Sequence, residues 1–258
     1  MVEYLVESAL LLHGIAGISE QKLMEVWPGS DERIVWMENG ETIIGNVQTF
    51  CSFRRKTDTT LRINYLNYDD CEKEKKTGAL TASGTMRACE KYGISTAITC
   101  GIGGLRWNQD KEQCNDIVAL MQSDVRLIAT APKDMFQQVY TIEKMKEAGI
   151  MVYGYLYPWC NGYLFVGDNA ELTGVAPKKI EHLGGLYLRG IPEEKRIADK
   201  RILEEACRYG EEQRLKGCSY HPAVNFYIDK LSRGESSKIQ LFSLVENIRW
   251  AESMKKSV

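Results

Sequence analysis

The chain has 258 residues with 33 basic and 35 acidic side chains, a formal net charge of −2. It is long enough to bury a substantial core, and it carries no basic excess to direct it to nucleic acid or an anionic membrane. No stretch approaches the roughly 20 apolar residues of a membrane span, and no signal-peptide pattern opens the chain, so a cytoplasmic single domain over residues 1–258 is expected.

In chain order, Tyr4–Leu12 reads as a strand. Arg33–Trp36 and Thr42–Ile44 flank Glu38-Asn39-Gly40, and Asn-Gly between apolar runs predicts an N-terminal β-hairpin. Residues 56–76 are polar, with Asp69-Asp70 and a Glu72–Lys76 charge run, which predicts a solvated connection and a candidate flap. From Thr81 the pattern alternates: helix Thr81–Tyr92, strand Ser95–Cys100, helix Glu112–Met121, strand Arg126–Thr130, helix Asp134–Ala148, strand Ile150–Leu156. Such alternation predicts an α/β fold, a three-layer α/β/α sandwich with a largely parallel central sheet, whose ligands bind at the carboxyl ends of the strands. Residues 162–185 are rich in glycine and turn residues and lead to a short strand, Gly185–Leu188. The C-terminal region is helical over Ala198–Leu215, Pro222–Arg233 and Ser237–Lys256.

Two strand ends carry candidate chemistry. Gly101, Gly103 and Gly104 remove side chains so that backbone N–H groups can approach an anion such as phosphate; a tight turn needing positive φ is the structural alternative. Lys133, in Ala129-Thr130-Ala131-Pro132-Lys133-Asp134, follows an apolar strand, where desolvation would lower its pKa and free the amine as a nucleophile. A solvated lysine at a helix start is the ordinary alternative. Thr81 opens a helix and offers a hydroxyl beside helix-terminal N–H groups. The eight cysteines contain no Cys-x-x-Cys pair, which argues against zinc and for free, mostly buried thiols; Cys100 lies beside the glycine loop. His13, His182 and His221 are too dispersed for a metal cluster and read as structural.

The helix start Gly78–Met86, the run Thr99-Cys100-Gly101-Ile102-Gly103-Gly104, Asp116-Ile117, the lysine turn and Gly149–Gly154 occur in an order and spacing that resemble the pseudouridine-5′-phosphate glycosidase family, also called indigoidine-synthase-A-like. Glu7-Ser8, His13-Gly14, Gly190–Glu194 and Leu231–Ala251 extend the resemblance to nearly the whole chain. It implies that Lys133 forms an imine at C1 of a ribose-5-phosphate-type sugar and that Glu7 carries protons. It further implies that Thr99 lies near the sugar phosphate, and that Gln240, in place of the family's asparagine, reaches the substrate. A second family lysine lies just before the helix start, and Lys75 is the choice among Lys73, Lys75 and Lys76. Family members are commonly homotrimers, so a homo-oligomer is expected.

The departures bear on metal binding. The family carries a histidine after its glycine loop and an Asp-Ile-Ser-Ala-Asp motif whose second aspartate helps hold manganese. Here these positions read Arg106 and Asp116-Ile117-Val118-Ala119-Leu120. Leu120 has no oxygen for a hard cation, so no metal cofactor is expected; Arg106 would supply a fixed charge in its stead or grip a phosphate. Asp110 with Asp116 is the alternative, a rebuilt site. Near the C-terminus Glu246-Asn247 replaces Asn-Asn, and His221-Pro222 replaces Thr-Pro. The leading expectation is cleavage or formation of a C-glycosidic bond, by default pseudouridine 5′-phosphate plus water to uracil plus ribose 5-phosphate. The alternatives are a C-glycoside synthase or lyase for another aglycone, and a non-catalytic sugar-phosphate-binding protein.

Overall fold

The computed structural model describes residues 3–106, 114–177 and 184–255. Strand β1 (Leu5–Glu7) runs into a single π-helical turn (Leu10–Gly14) and helix α1 (Glu20–Val26). A hairpin of β2 (Ile34–Glu38) and β3 (Glu41–Gly45) is followed by α2 (Val47–Lys56), β4 (Arg62–Ile63) and α3 (Tyr68–Lys73). The alternating region comprises β5 (Gly78–Leu80), α4 (Ala82–Tyr92), β6 (Thr96–Ile98), β7 (Gly101–Ile102), α5 (Asn115–Gln122), β8 (Arg126–Ala129), β9 (Ala131–Pro132), α6 (Gln138–Glu147) and β10 (Val152–Gly154). Short strands β11 (Trp159–Cys160), β12 (Ala170–Glu171), β13 (Gly174–Val175) and β14 (Leu186–Leu188) precede helices α7 (Arg201–Leu215), α8 (Tyr220–Leu231) and α9 (Glu235–Lys255).

The main sheet runs β13-β10-β14-β8-β6-β1-β2-β5-β4, with β3 beside β2. Its neighbours pair in parallel except where β2 meets β5 and β3. The central strands are apolar runs sealed on both faces, as parallel strands under helices must be; Leu5, Val6, Ala97, Ile98, Leu127 and Ile128 are all inaccessible. Helix α4 packs on β1, β5 and β6, and α9 on β6 and β8, giving the α/β/α layering with the helical C-terminal region that the alternation predicts. Among the described residues no helix is long and apolar enough to cross a membrane.

The hairpin forms as its sequence requires: Asn39 and Gly40 take φ of 50° and 80°, the paired left-handed residues of a two-residue turn. Other expectations are corrected. Strand β1 stops at Glu7 because Ser8 turns inward, its Oγ accepting from Leu80 N–H at 2.9 Å, and the chain then coils into the π-helical turn. Residues 56–76 are no loose flap: β4 pairs with β5, and the turn after α3 lies under the hairpin, with Gly40 N–H donating to Lys76 O at 2.8 Å. Helix α6 begins at Gln138 rather than Asp134, because the Asp134 carboxylate instead accepts from the N–H groups of Tyr163 and Leu164. The predicted start of α5 at Glu112 lies outside the described residues.

The hairpin tip admits no side chain at Gly40: a Cβ there would meet Glu72 O at 2.4 Å and Lys75 Cα at 2.9 Å, on a backbone already at positive φ. Gly40→Ala is expected to cost roughly 2 kcal/mol or more, read as a lower urea midpoint with unchanged slope.

Candidate active site

Strands β1, β6 and β8 are adjacent and parallel, and their carboxyl ends open on one cavity of about 630 Å³. This is within the range of about 300–1,000 Å³ that encloses small organic ligands. Glu7 ends β1; Thr99 follows β6; Lys133 follows β8 and its short continuation. What brings the glycine loop to the lysine is a second ladder: β7 pairs with β9 in parallel, and Lys133 N–H donates to Ile102 O at 3.1 Å.

Glu7 and Lys133 both border the cavity and are 6 % and 9 % exposed. Burial raises the Glu7 pKa to about 7 against the opposing pull of Lys133, and burial lowers that of Lys133 against the attraction of Glu7 and Asp116. The pair therefore tends toward a protonated acid facing a neutral amine, the two forms that proton donation and nucleophilic attack require. The Thr99 hydroxyl lies beside the Glu7 carboxyl and favours its ionised form, though no hydrogen bond of regular geometry closes on Thr99 Oγ1.

The three loop glycines border the cavity but do not adopt positive φ, so the tight-turn reading does not hold. Close packing explains them. A Cβ on Gly101 would meet Tyr163 Cζ at 2.7 Å and Lys133 Cγ at 2.9 Å, and one on Gly103 would meet Cys114 Sγ at 2.6 Å. One on Gly104 would meet Phe136 Cβ at 2.7 Å. Beneath the loop, Tyr163 OH lies 3.0 Å from Cys100 Sγ and 3.1 Å from Gln240 Oε1. Gln240 is thus in the buried layer under the site and does not line the cavity, contrary to the expectation of direct substrate contact.

Thr81 borders the cavity as the cap of α4, its Oγ1 accepting from Gly84 N–H at 3.3 Å. The first turn of α5 borders it too, and Asp116 joins the two: Oδ1 accepts from Ser83 N–H at 3.1 Å and Oδ2 from Gly103 N–H at 2.8 Å. The Gly103 N–H expected to approach phosphate is therefore already engaged. Arg106 borders the cavity with its charge compensated: it pairs with Glu211 and lies 3.9 Å over the Tyr220 ring, tying the glycine loop to α7 and α8. That arrangement replaces the expected free phosphate clamp.

Lys75 is misplaced by the sequence reading. It is exposed, at φ 54° in the turn under Gly40, away from the cavity lining, while Lys73 and Lys76 pair with Asp70 and Glu74 at the surface. Arg62 reaches the cavity instead, with Asn64 on the same side of the chain. The alternation Leu61-Arg62-Ile63-Asn64 carried that signal, since residues two apart in extended chain share a face. His221 also borders the cavity rather than serving only the core. His182 and Asp110 lie outside the described residues.

The residues present do not fit manganese. Both oxygens of Asp116 accept backbone N–H groups, the next candidate position is the buried hydrocarbon Leu120, and no group of three or more His, Cys, Asp or Glu side chains gathers for a metal among the described residues.

The fold is thus that of an α/β protein whose largely parallel sheet brings a buried lysine and a buried carboxyl to one cavity at its strand ends. The model of the indigoidine synthase A like protein family matches residues 32–163, and the chain belongs to that family. It is 24 % identical over 267 residues to a pseudouridine-5′-phosphate glycosidase of Kosmotoga olearia, covering 93 % of this chain and 91 % of that one. It is 26 % identical over 196 residues to one of Petrotoga mobilis, covering 69 % of this chain; the match spans 64 % of the relative's length, a little under two thirds. Among solved structures, the prealnumycin C-glycosynthase AlnA in complex with ribulose 5-phosphate superposes with a TM-score of 0.76 at 19 % identity, covering 97 % and 89 % of the two chains. An indigoidine synthase A-like protein from Thermotoga maritima does so at 0.75 and 16 %, covering 98 % and 91 %.

Two outcomes follow from this geometry. Gly101→Ala displaces Lys133 or Tyr163 and is expected to lower stability by about 1–3 kcal/mol, measured by thermal or denaturant unfolding. The folded-state pKa of Glu7, about 7, exceeds its ordinary 4.5, so the folded chain binds the extra proton between those values and loses stability as pH rises through that window. Glu7→Gln removes this dependence, so the stability of the variant relative to the parent is expected to grow from about pH 5 to about pH 8, by up to roughly 3 kcal/mol.

Proposed function

We propose that the protein makes or breaks a carbon–carbon glycosidic bond at C1 of a ribose-5-phosphate-type sugar, through an imine on Lys133 with Glu7 as proton carrier. The observation that carries this reading is that one cavity is bordered by both the buried Lys133, whose pKa burial lowers, and Glu7, whose carboxyl burial raises to about 7. The names of its relatives make pseudouridine 5′-phosphate the default substrate.

In the cleavage direction, the bond between C1 and the ring oxygen breaks and that oxygen takes the Glu7 proton, while the Lys133 amine adds at C1. The Glu7 carboxylate left by that step takes a proton from the added nitrogen, whose freed lone pair forms the C1=N bond as the C1–carbon bond to the base breaks; the electron pair of that bond stays on the base carbon, which takes the proton back from Glu7. Water adds to the imine and releases ribose 5-phosphate as the aldehyde together with the free amine. The overall balance is pseudouridine 5′-phosphate plus water to uracil plus ribose 5-phosphate. The amine must start neutral and the acid protonated, which is the state that burial favours. For the phosphate, the first turns of α4 and α5 offer positive dipole ends, and Arg62 supplies a half-buried charge whose own pKa desolvation lowers. Nothing in this sequence of steps draws on a metal.

Incubation with ribose 5-phosphate and borohydride is expected to fix one sugar phosphate on Lys133, located by peptide mass analysis, and Lys133→Ala is expected to abolish both the adduct and uracil release from pseudouridine 5′-phosphate. Wild-type protein without an adduct would favour a sugar-phosphate-binding protein that does not turn over. The kcat/KM profile for uracil release is expected to fall on its alkaline side with a midpoint near 7, as Glu7 loses the proton it must donate.

A further inference from the structure

Part of the cavity wall is built by α8 and by the lysine turn itself. Phe136 N–H donates to Lys133 O at 3.0 Å, so Phe136 stands on the same turn as the amine, and its ring faces that of His221 with centroids 6.2 Å apart. His221 lies in the first turn of α8, and Asn225 follows one turn later on the same side; both border the cavity. Their side chains are coupled, with His221 Nε2 and Asn225 Nδ2 3.1 Å apart.

That coupling constrains what the pair can offer a ligand. If Asn225 donates to Nε2, the imidazole keeps its proton on Nδ1, and the pair presents two donors, Nδ1–H and the second amide N–H, beside one acceptor, Asn225 Oδ1. If the amide is turned over, Nε2–H donates to Oδ1, and the pair presents one acceptor, Nδ1, beside the two amide N–H donors. Either assignment yields an acceptor together with at least one donor, provided the ring is neutral. Burial, with Lys133 and Arg62 nearby, holds the His221 pKa well below its ordinary value and so keeps the ring neutral. One N–H beside one C=O, the edge of a cyclic amide or imide, is the complement of such a pair.

A sugar bonded to Lys133 through C1 must carry its aglycone away from C1, and Phe136 and His221 border the space beside that amine. We propose that His221 and Asn225 are specificity-determining residues that read the N–H and C=O edge of a neutral, planar cyclic-amide aglycone lying against Phe136. This rests on the imine reading above.

The test compares pseudouridine 5′-phosphate with its 1,3-dimethyl derivative, in which both ring N–H groups are blocked, and measures borohydride trapping of ribose 5-phosphate in parallel. Wild-type protein is expected to prefer the unmethylated substrate by roughly 10- to 100-fold in kcat/KM, because blocking the edge leaves buried polar groups unpaired. His221→Phe and Asn225→Leu are expected to lose most of that preference, with the loss confined to the aglycone-dependent readout and trapping of the bare sugar phosphate retained. His221→Gln, which keeps a hydrogen-bonding group, is expected to recover part of the preference. Three results overturn the assignment while leaving the imine standing: wild-type protein that traps the sugar but turns over both substrates alike or neither, variants that keep the full preference, and variants whose trapping falls as far as their turnover. Wild-type protein that fails to trap ribose 5-phosphate overturns the imine reading itself, and this assignment with it.

Discussion

The site depends on holding a lysine and a glutamate at the edge of one cavity, close enough to influence each other and buried enough that desolvation disfavours the ordinary charge of each. Desolvation is the leading influence on both, and their mutual attraction opposes it without cancelling it. Such an arrangement is costly for folding, because a buried carboxyl that ionises is stabilised by neither water nor a close ion pair. The surrounding sheet can bear that cost because its central strands bury nearly continuous apolar runs under helices on both sides.

Backbone pairing, more than side-chain contact, sets the position of Lys133. The β7–β9 ladder extends the strand ends beyond the main sheet, so the glycine loop and the lysine turn move as one unit. Below them a buried polar layer locks that unit to the C-terminal helix. Tyr163 meets Cys100 and Gln240, Thr130 Oγ1 lies 2.7 Å from Ser243 Oγ, and Asn247 donates to Thr99 O at 2.8 Å. Networks of this kind favour one arrangement over its alternatives, because any shift strands a buried polar atom. Gln240 and Asn247 thus act on the site from beneath it, through the strand ends and the Tyr163 ring.

Charge is distributed with similar economy around the cavity. Asp116 occupies the N–H groups of Ser83 and Gly103, Arg106 is matched by Glu211, and Arg62 carries an uncrowded positive charge near Glu7. The Asp116 carboxylate is a structural staple between the start of α4 and the glycine loop. A carboxylate held by two backbone donors, with the apolar Leu120 one turn further along α5, is a poor candidate for metal binding.

Much of the architecture was legible from local pattern. The Asn39-Gly40 turn, the alternation of apolar runs with amphipathic helices from Thr81 onward, and the place of Lys133 after a buried strand all follow from periodicity and turn chemistry, which act over a few residues. Glu7 was legible only by resemblance, since a strand of three residues has too little pattern to mark its end. The region 56–76 misled because charge density is a local property, whereas β4 exists through pairing with β5, and Arg62 rather than Lys75 reaches the cavity as a result. His221, Asn225 and the burial of Gln240 were decided by tertiary structure alone. They depend on where α8 packs on α7, α9 and the π-helical turn and where α9 packs on β6 and β8, and that docking is set by long-range packing of apolar faces, which no spacing along the chain records.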